Sequence, residues 1–137
     1  MQFEFTDAGR ILAGIALLSI VTIEVGGWFL TKIVRGDVPM TPFQQAFARA
    51  GHAHAGVLVT LGLVGILYAD LARIEGVLGW LARGGVLAAA ILMSGGFFAS
   101  SAGKGRTTPN GAIAMVWIGA LALATGVVSL GVGVLGS

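Results

Sequence analysis

The chain predicts an all-α fold, an integral membrane bundle of four helices, and two observations carry that prediction. The first is composition. Of 137 residues, 56% are hydrophobic and only 10% are charged, with a mean hydropathy of +0.94, whereas a soluble domain carries about 25% charged residues. The second is length. Four apolar stretches, 8–31, 43–69, 77–100 and 112–135, each reach the roughly 20 helical residues that cross a hydrocarbon core. Short connections and the lack of any linker or low-complexity segment make residues 1–137 one domain.

The first stretch follows Glu4 and Asp7, and no small-residue cleavage site closes a short apolar run, so this helix is expected to be retained rather than removed as a signal peptide. The chain then passes through Val34 to Thr41, with Gly36-Asp37 and Pro39. Thr41-Pro42 reads as an N-cap followed by proline at the first helical position, which starts the second helix near Phe43. Between the second and third stretches lies only Asp70 to Gly76, a connection short enough to make those helices antiparallel neighbours. Ser100 to Gly111 is the most polar part, with Ser101, Lys104, Arg106, Thr107, Thr108 and Asn110. An odd number of crossings puts the first and third loops on one side of the membrane. Lys32, Arg35, Lys104 and Arg106 give that side the larger share of positive charge, against Arg10, Arg73 and Arg83 opposite, and the positive-inside rule leans it toward the cytoplasm.

The 23 glycines are too many for turns alone. Small residues four apart, such as Ala122 and Gly126 or Gly51 and Ala55, let helix backbones touch where lipid supplies no hydrophobic drive between them. A thin bundle of this kind leaves much of its surface against lipid or against copies of itself, so homo-oligomerisation is expected. The absence of cysteine excludes disulfides, thiolate metal sites, iron–sulfur clusters and a cysteine nucleophile. A net charge of +2 spread over short loops offers no basic block to track nucleic acid.

Against this background the segment Arg49-Ala-Gly-His-Ala-His-Ala-Gly56 stands out, because it holds both histidines, His52 and His54. Two residues of α-helix turn about 200°, so the two imidazoles point to nearly opposite sides and cannot share one metal from a regular helix. An ionisable group inside a span is costly and marks a functional site by default. His54 lies deeper than His52 and is the better ligand candidate, with His52 as the alternative; an interfacial histidine satisfied by water or a carbonyl is the structural reading of either. Neutral imidazole suits haem iron, copper or zinc. With no cysteine, no third histidine and few carboxylates, a closed zinc site within one chain is hard to assemble. Haem needs a single protein ligand and an apolar cleft, and Ala53, Ala55 and Gly56 are small enough to let a flat macrocycle approach the helix, although helix packing alone would also use them.

Glu24, inside the first apolar stretch and followed by Val25-Gly26-Gly27-Trp28, must be neutral, paired or turned to a polar space. It could hydrogen-bond the free N–H of a ligating histidine, or pair with Arg49 or with a neighbouring subunit. Trp28, Phe43, Phe47, Trp80 and Trp117 read as interface or packing aromatics. Phe97 and Phe98 follow Gly95-Gly96, where missing side chains could make room for a flat ligand.

Gly-Trp near the end of the first helix, a proline-containing loop, Phe47-Ala48-Arg49-Ala50 leading into His54-Ala55-Gly56, Gly96-Phe97-Phe98 late in the third helix and Pro109-Asn110-Gly111 before the fourth together resemble the styrene oxide isomerase family, along nearly the whole chain and at low identity. The resemblance implies a small four-helix protein of the bacterial inner membrane that assembles as a trimer and binds haem b between subunits through a histidine at the start of helix two. Ferric haem there serves as a Lewis acid that opens a lipophilic epoxide and yields an aldehyde. The matching axial ligand is His54, whose Ala-Gly follows the family's Ser-Gly, and Arg49, Gly56 and Glu24 complete the expected cofactor surroundings. The family's asparagine, tyrosine and aspartate, which hold and steer the substrate, correspond to Thr60, Phe98 and Ala90. Thr60 keeps a hydroxyl, but Phe98 and Ala90 have no polar group, so the resemblance is stronger for the haem pocket than for the isomerase pocket. A non-enzymatic haem protein for electron transfer, haem handling or sensing, and a cofactor-free transporter using Glu24 and the histidines as a proton or ion path, are the competing readings.

Overall fold

The computed structural model describes residues 4–137. Within them the chain forms α1 (Asp7–Val34), α2 (Pro42–Leu71), α3 (Gly76–Ser101), a single 3-10 turn (Gly111–Ile113) and α4 (Ala114–Leu135). All four spans are long and apolar enough to cross a membrane, and the protein is a four-helix membrane bundle. The helix bounds fall within a few residues of the apolar stretches, because loss of hydrophobicity and the capping signals coincide. Thr41 caps α2 as expected, and it does so in a full capping box: its side chain accepts from the Gln44 N–H while the Gln44 side chain accepts from the Thr41 N–H. Thr6 caps α1 by accepting from the Gly9 N–H.

The helices are arranged so that α3 packs extensively against both α2 and α4, while α1 rests mainly on α2 and only touches α3. Only 6% of the most apolar window of α1 is buried, against 39% for α2 and for α3, which makes α1 the peripheral helix. Glycine sets the closest crossing. A Cβ at Gly85 would lie 2.6 Å from the Gly126 Cα and 3.1 Å from the Ala122 carbonyl oxygen, so α3 and α4 meet backbone to backbone. Gly95 and Gly96, by contrast, open no ligand space: a Cβ on either would meet Met115 or Val116 of α4. The main core lies among α2, α3 and α4, with Leu58, Val59, Val86, Ala89, Ala90, Met93 and Val116, and Ala16 is the contribution of α1.

Most hydroxyls within the spans are satisfied by their own helices. Ser19 donates to the Ala16 carbonyl at 2.7 Å, Thr31 to Trp28 at 2.7 Å and Thr125 to Leu121 at 2.8 Å, which is how a polar side chain is tolerated where no water is available. Ser94 departs from this pattern. Its Oγ is buried without a partner, alone in this among the described residues.

Two polar clasps hold the ends. At one, the first and third loops meet as the crossing parity requires: Gln44 Nε2 donates to the Ser101 carbonyl at 3.0 Å and to the Gly103 carbonyl at 2.7 Å, and Thr41 Oγ1 donates to the Arg106 carbonyl. At the other, Asp70 and Arg83 form a buried ion pair at 2.6 Å, with side chains 0% and 7% exposed. Arg83 also donates to the Ile74 carbonyl at 2.9 Å, and Asp70 accepts from both the Thr6 N–H and the Thr6 hydroxyl at 3.1 Å. Asp70 and Arg83 are therefore structural residues that tie the start of α1 to the turn between α2 and α3.

Candidate functional site

The candidate site is built on the first half of α2. From the helix rise of about 1.5 Å per residue, His54 lies roughly 4 Å, His52 roughly 7 Å and Arg49 roughly 11 Å from the helix midpoint, and Arg49 is within snorkelling reach of the headgroups. The two imidazoles point apart, as their spacing requires. His52 faces α1, where its ring lies 3.4 Å from the position of a Cβ on Gly26 and 3.3 Å from one on Gly27. The glycine pair after Glu24 thus makes room for a histidine. His54 faces α3, where its ring lies 4.9 Å from that of Phe97, and Phe97 in turn packs edge-on against Phe47 at 5.4 Å.

The two rings differ in their hydrogen bonding. His54 Nδ1 lies 2.8 Å from the Ala50 carbonyl oxygen; since a carbonyl only accepts, Nδ1 donates there, and in the neutral ring Nε2 keeps the lone pair. His52 has no hydrogen-bond partner among the described residues.

Next to His52, a shallow groove of about 640 Å³ runs along the outer face of α2 over Ala53, Gly56, Val57, Thr60 and Leu61, within the roughly 300–1,000 Å³ range of small-molecule sites. A Cβ on Gly56 would meet nothing within 4 Å, so a flat molecule can approach the helix backbone here. Thr60 borders the groove, but its hydroxyl proton is spent on the Gly56 carbonyl at 2.9 Å, leaving only lone pairs to face a ligand. The structure thus brings His52, Gly56 and Thr60 to one groove and holds His54 on the α3 flank of the same helix.

The remaining candidate residues lie apart. Phe98 seats its ring on Gly51, where a Cβ would be 2.8 Å away, and is 42% exposed. Ala90 is buried in the core. Glu24 and Arg49 are both exposed and make no hydrogen bond or ion pair with the described residues, so no Glu24–Arg49 pair forms within one chain. Because Gly26 and Gly27 abut His52 and α1 runs antiparallel to α2, Glu24 lies near the level of His54 and Ala55. Among the described residues no group of three or more His, Cys, Asp or Glu side chains could hold a metal ion. The donor set offers imidazoles one at a time.

No family model, curated protein or solved structure matches this chain.

Single imidazoles can give a metal centre one protein nitrogen each, which is what a macrocyclic cofactor requires. A macrocycle takes one protein nitrogen and derives most of its affinity from apolar contact. The α2 face supplies a surface of small side chains, and each flank of that face carries an imidazole. The groove is lined from α2 alone and is open opposite it.

Proposed function

We propose that the protein is a haem b-binding integral membrane protein in which His54 provides the axial nitrogen. The observation that carries the reading is the state of that ring: Nδ1–H is fixed on the Ala50 carbonyl and Phe97 braces the imidazole. Metal-ligating histidines are oriented in this way, by a hydrogen bond on the nitrogen that does not bind. A second reading assigns the ligand to His52, because that ring borders the α2 groove directly and has no hydrogen-bond partner among the described residues.

The open side of the groove is the place for a second copy of the chain. Glu24 and Arg49, exposed and unpaired among the described residues, are the charged groups that such a copy would cover, and a carboxyl left facing lipid is costly. A homo-oligomer, by resemblance a trimer, with haem near a subunit boundary satisfies both the cofactor and the carboxyl.

When bound, ferric haem supplies an electrophilic iron able to polarise the oxygen of a lipophilic epoxide. The chain's own residues give little to steer that reaction: Thr60 presents lone pairs but no proton, and Phe98 and Ala90 have no polar atom to offer. Binding of haem is therefore the primary function in this proposal, and epoxide isomerisation a weak accompanying activity. The first test is purification in mild detergent followed by absorption spectroscopy and haemin titration. A Soret band with saturable haemin uptake is expected, and no Soret band even after haemin addition would overturn the reading in favour of a cofactor-free membrane protein.

A further inference from the structure

On an α-helix, positions seven and eleven residues apart return to within about 20° of one another, so Arg49, Gly56 and Thr60 form one line along α2, with Ala53 beside it one turn after Arg49. Ala53, Gly56 and Thr60 line the α2 groove. Arg49 therefore stands at the end of that groove nearest the headgroups, exposed and without a hydrogen-bond or ion-pair partner among the described residues. We infer that Arg49 binds a propionate carboxylate of the macrocycle and so fixes which way round it lies, with its charged edge toward the first and third loops. The inference rests on the haem reading above and does not depend on which histidine supplies the axial nitrogen.

Polarity along the groove is the first support. Haem b carries its propionates on one edge and apolar substituents on the opposite one. The groove is graded in the same sense. Arg49 and His52, the groups able to donate, lie in its headgroup half, whereas Thr60 has given its proton to the Gly56 carbonyl at 2.9 Å and is followed by Leu61 and Val64. A carboxylate at the far end would meet lone pairs and apolar carbon; at the near end it meets a guanidinium. Depth is the second. Arg49 precedes His52 by three residues and His54 by five, about 4.5 and 7.5 Å along the axis, and a helical side chain leans toward its own N-terminus. The cation is thus on the headgroup side of either imidazole, where a charged edge is least costly to place. Chemistry is the third. A guanidinium stays charged and matches a carboxylate with two parallel hydrogen bonds.

The test compares two ligands that differ only at the carboxylates. Haemin and haemin dimethyl ester are titrated into the purified protein in lipid nanodiscs, and binding is followed by the Soret band. Arg49→Gln removes the charge, Arg49→Lys keeps it, and Arg35→Gln, at an exposed arginine outside the groove, is the control. Wild type is expected to bind haemin about tenfold or more tightly than the ester, as a hydrogen bond between charged groups implies. Arg49→Gln should lose that preference by weakening haemin alone, Arg49→Lys should keep part of it, and Arg35→Gln all of it. Because the preference is compared between proteins, the different partition of the two ligands into lipid cancels. A preference unchanged in Arg49→Gln, or equal weakening of both ligands, would overturn the inference and leave Arg49 to lipid phosphates, with the haem reading intact. Saturable binding of neither ligand would instead overturn the haem reading and this inference with it. If Arg49→Gln does not fold, the smaller preference expected of Arg49→Lys, which lacks the two-bonded geometry, is read in its place, and a preference equal to wild type counts against the inference.

Discussion

Removing Asp70 is the most quantitative perturbation that the structure offers. In Asp70→Ala, the Arg83 guanidinium stays buried with the Ile74 carbonyl at 2.9 Å and the more distant Ala69 carbonyl at 3.4 Å, but without its counter-ion, and the Thr6 N–H and hydroxyl lose their acceptor. Breaking one side of a buried pair costs about 3–5 kcal/mol, because the surviving charge is uncompensated. The two retained carbonyl contacts put the expected loss near the lower end, about 3 kcal/mol, with α1 loosening first, since Asp70 holds its N-terminal cap. The assay is reversible unfolding in mixed micelles with increasing SDS, read by tryptophan fluorescence and by proteolysis at the α1 end. A paired replacement, Asp70→Leu with Arg83→Met, removes both charges and is expected to recover most of the loss, as similar replacements of buried pairs do. A loss below about 1 kcal/mol in the single variant, or a double variant no better than the single one, would show that the pair is solvated in the membrane and is not the buried clasp described here.

Three further outcomes follow from the proposed site. Glu24→Gln should leave helix content intact while shifting the haem spectrum or lowering haem affinity, because Glu24 is unpaired among the described residues and lies at the depth of the histidines; spectra and haem content identical to wild type, with only stability altered, would make it a structural residue. Native mass spectrometry from detergent should show a homo-oligomer retaining haem, with a trimer expected, and a clean monomer carrying one haem would contradict a shared pocket. Aryl epoxide incubated with the ferric protein should give aldehyde more slowly than an isomerase having the asparagine and tyrosine in place, since positioning and polar stabilisation of the transition state each contribute to rate. Turnover equal to such an enzyme would show that Thr60 and Phe98 are adequate replacements, and a rate no better than free haem would leave a binding protein.

The fold was legible because lipid imposes long helices with few charges, and because Thr41-Pro42 and the Asp70–Gly76 turn mark where two of them begin and end. The divergence of His52 and His54 was also legible, as a matter of helical period. What the sequence did not disclose depends on which helix faces which. Gly26-Gly27 can be read as a close approach, but only the packing of α1 on α2 makes His52 the approaching group. Gly95-Gly96 suggests ligand space until α4 is seen to fill it. Asp70, in the connection, and Arg83, inside the third apolar stretch, carry opposite charges, and only the fold shows them joined in a buried pair. Gln44, three residues after Thr41, completes a capping box whose spacing is visible in the sequence. Nothing in the local sequence marks Ser94 as the buried hydroxyl without a partner.

Haem content per chain in two single variants tests the central claim most directly. His52→Ala and His54→Ala are purified side by side with the wild type under identical conditions, and haem is quantified by the pyridine haemochrome spectrum against protein concentration. Loss of haem and of the Soret band in His54→Ala, with most haem retained in His52→Ala, is the expected result. The reverse pattern would move the ligand to the ring that borders the α2 groove, and a wild-type Soret spectrum in both variants would contradict histidine ligation from α2 altogether.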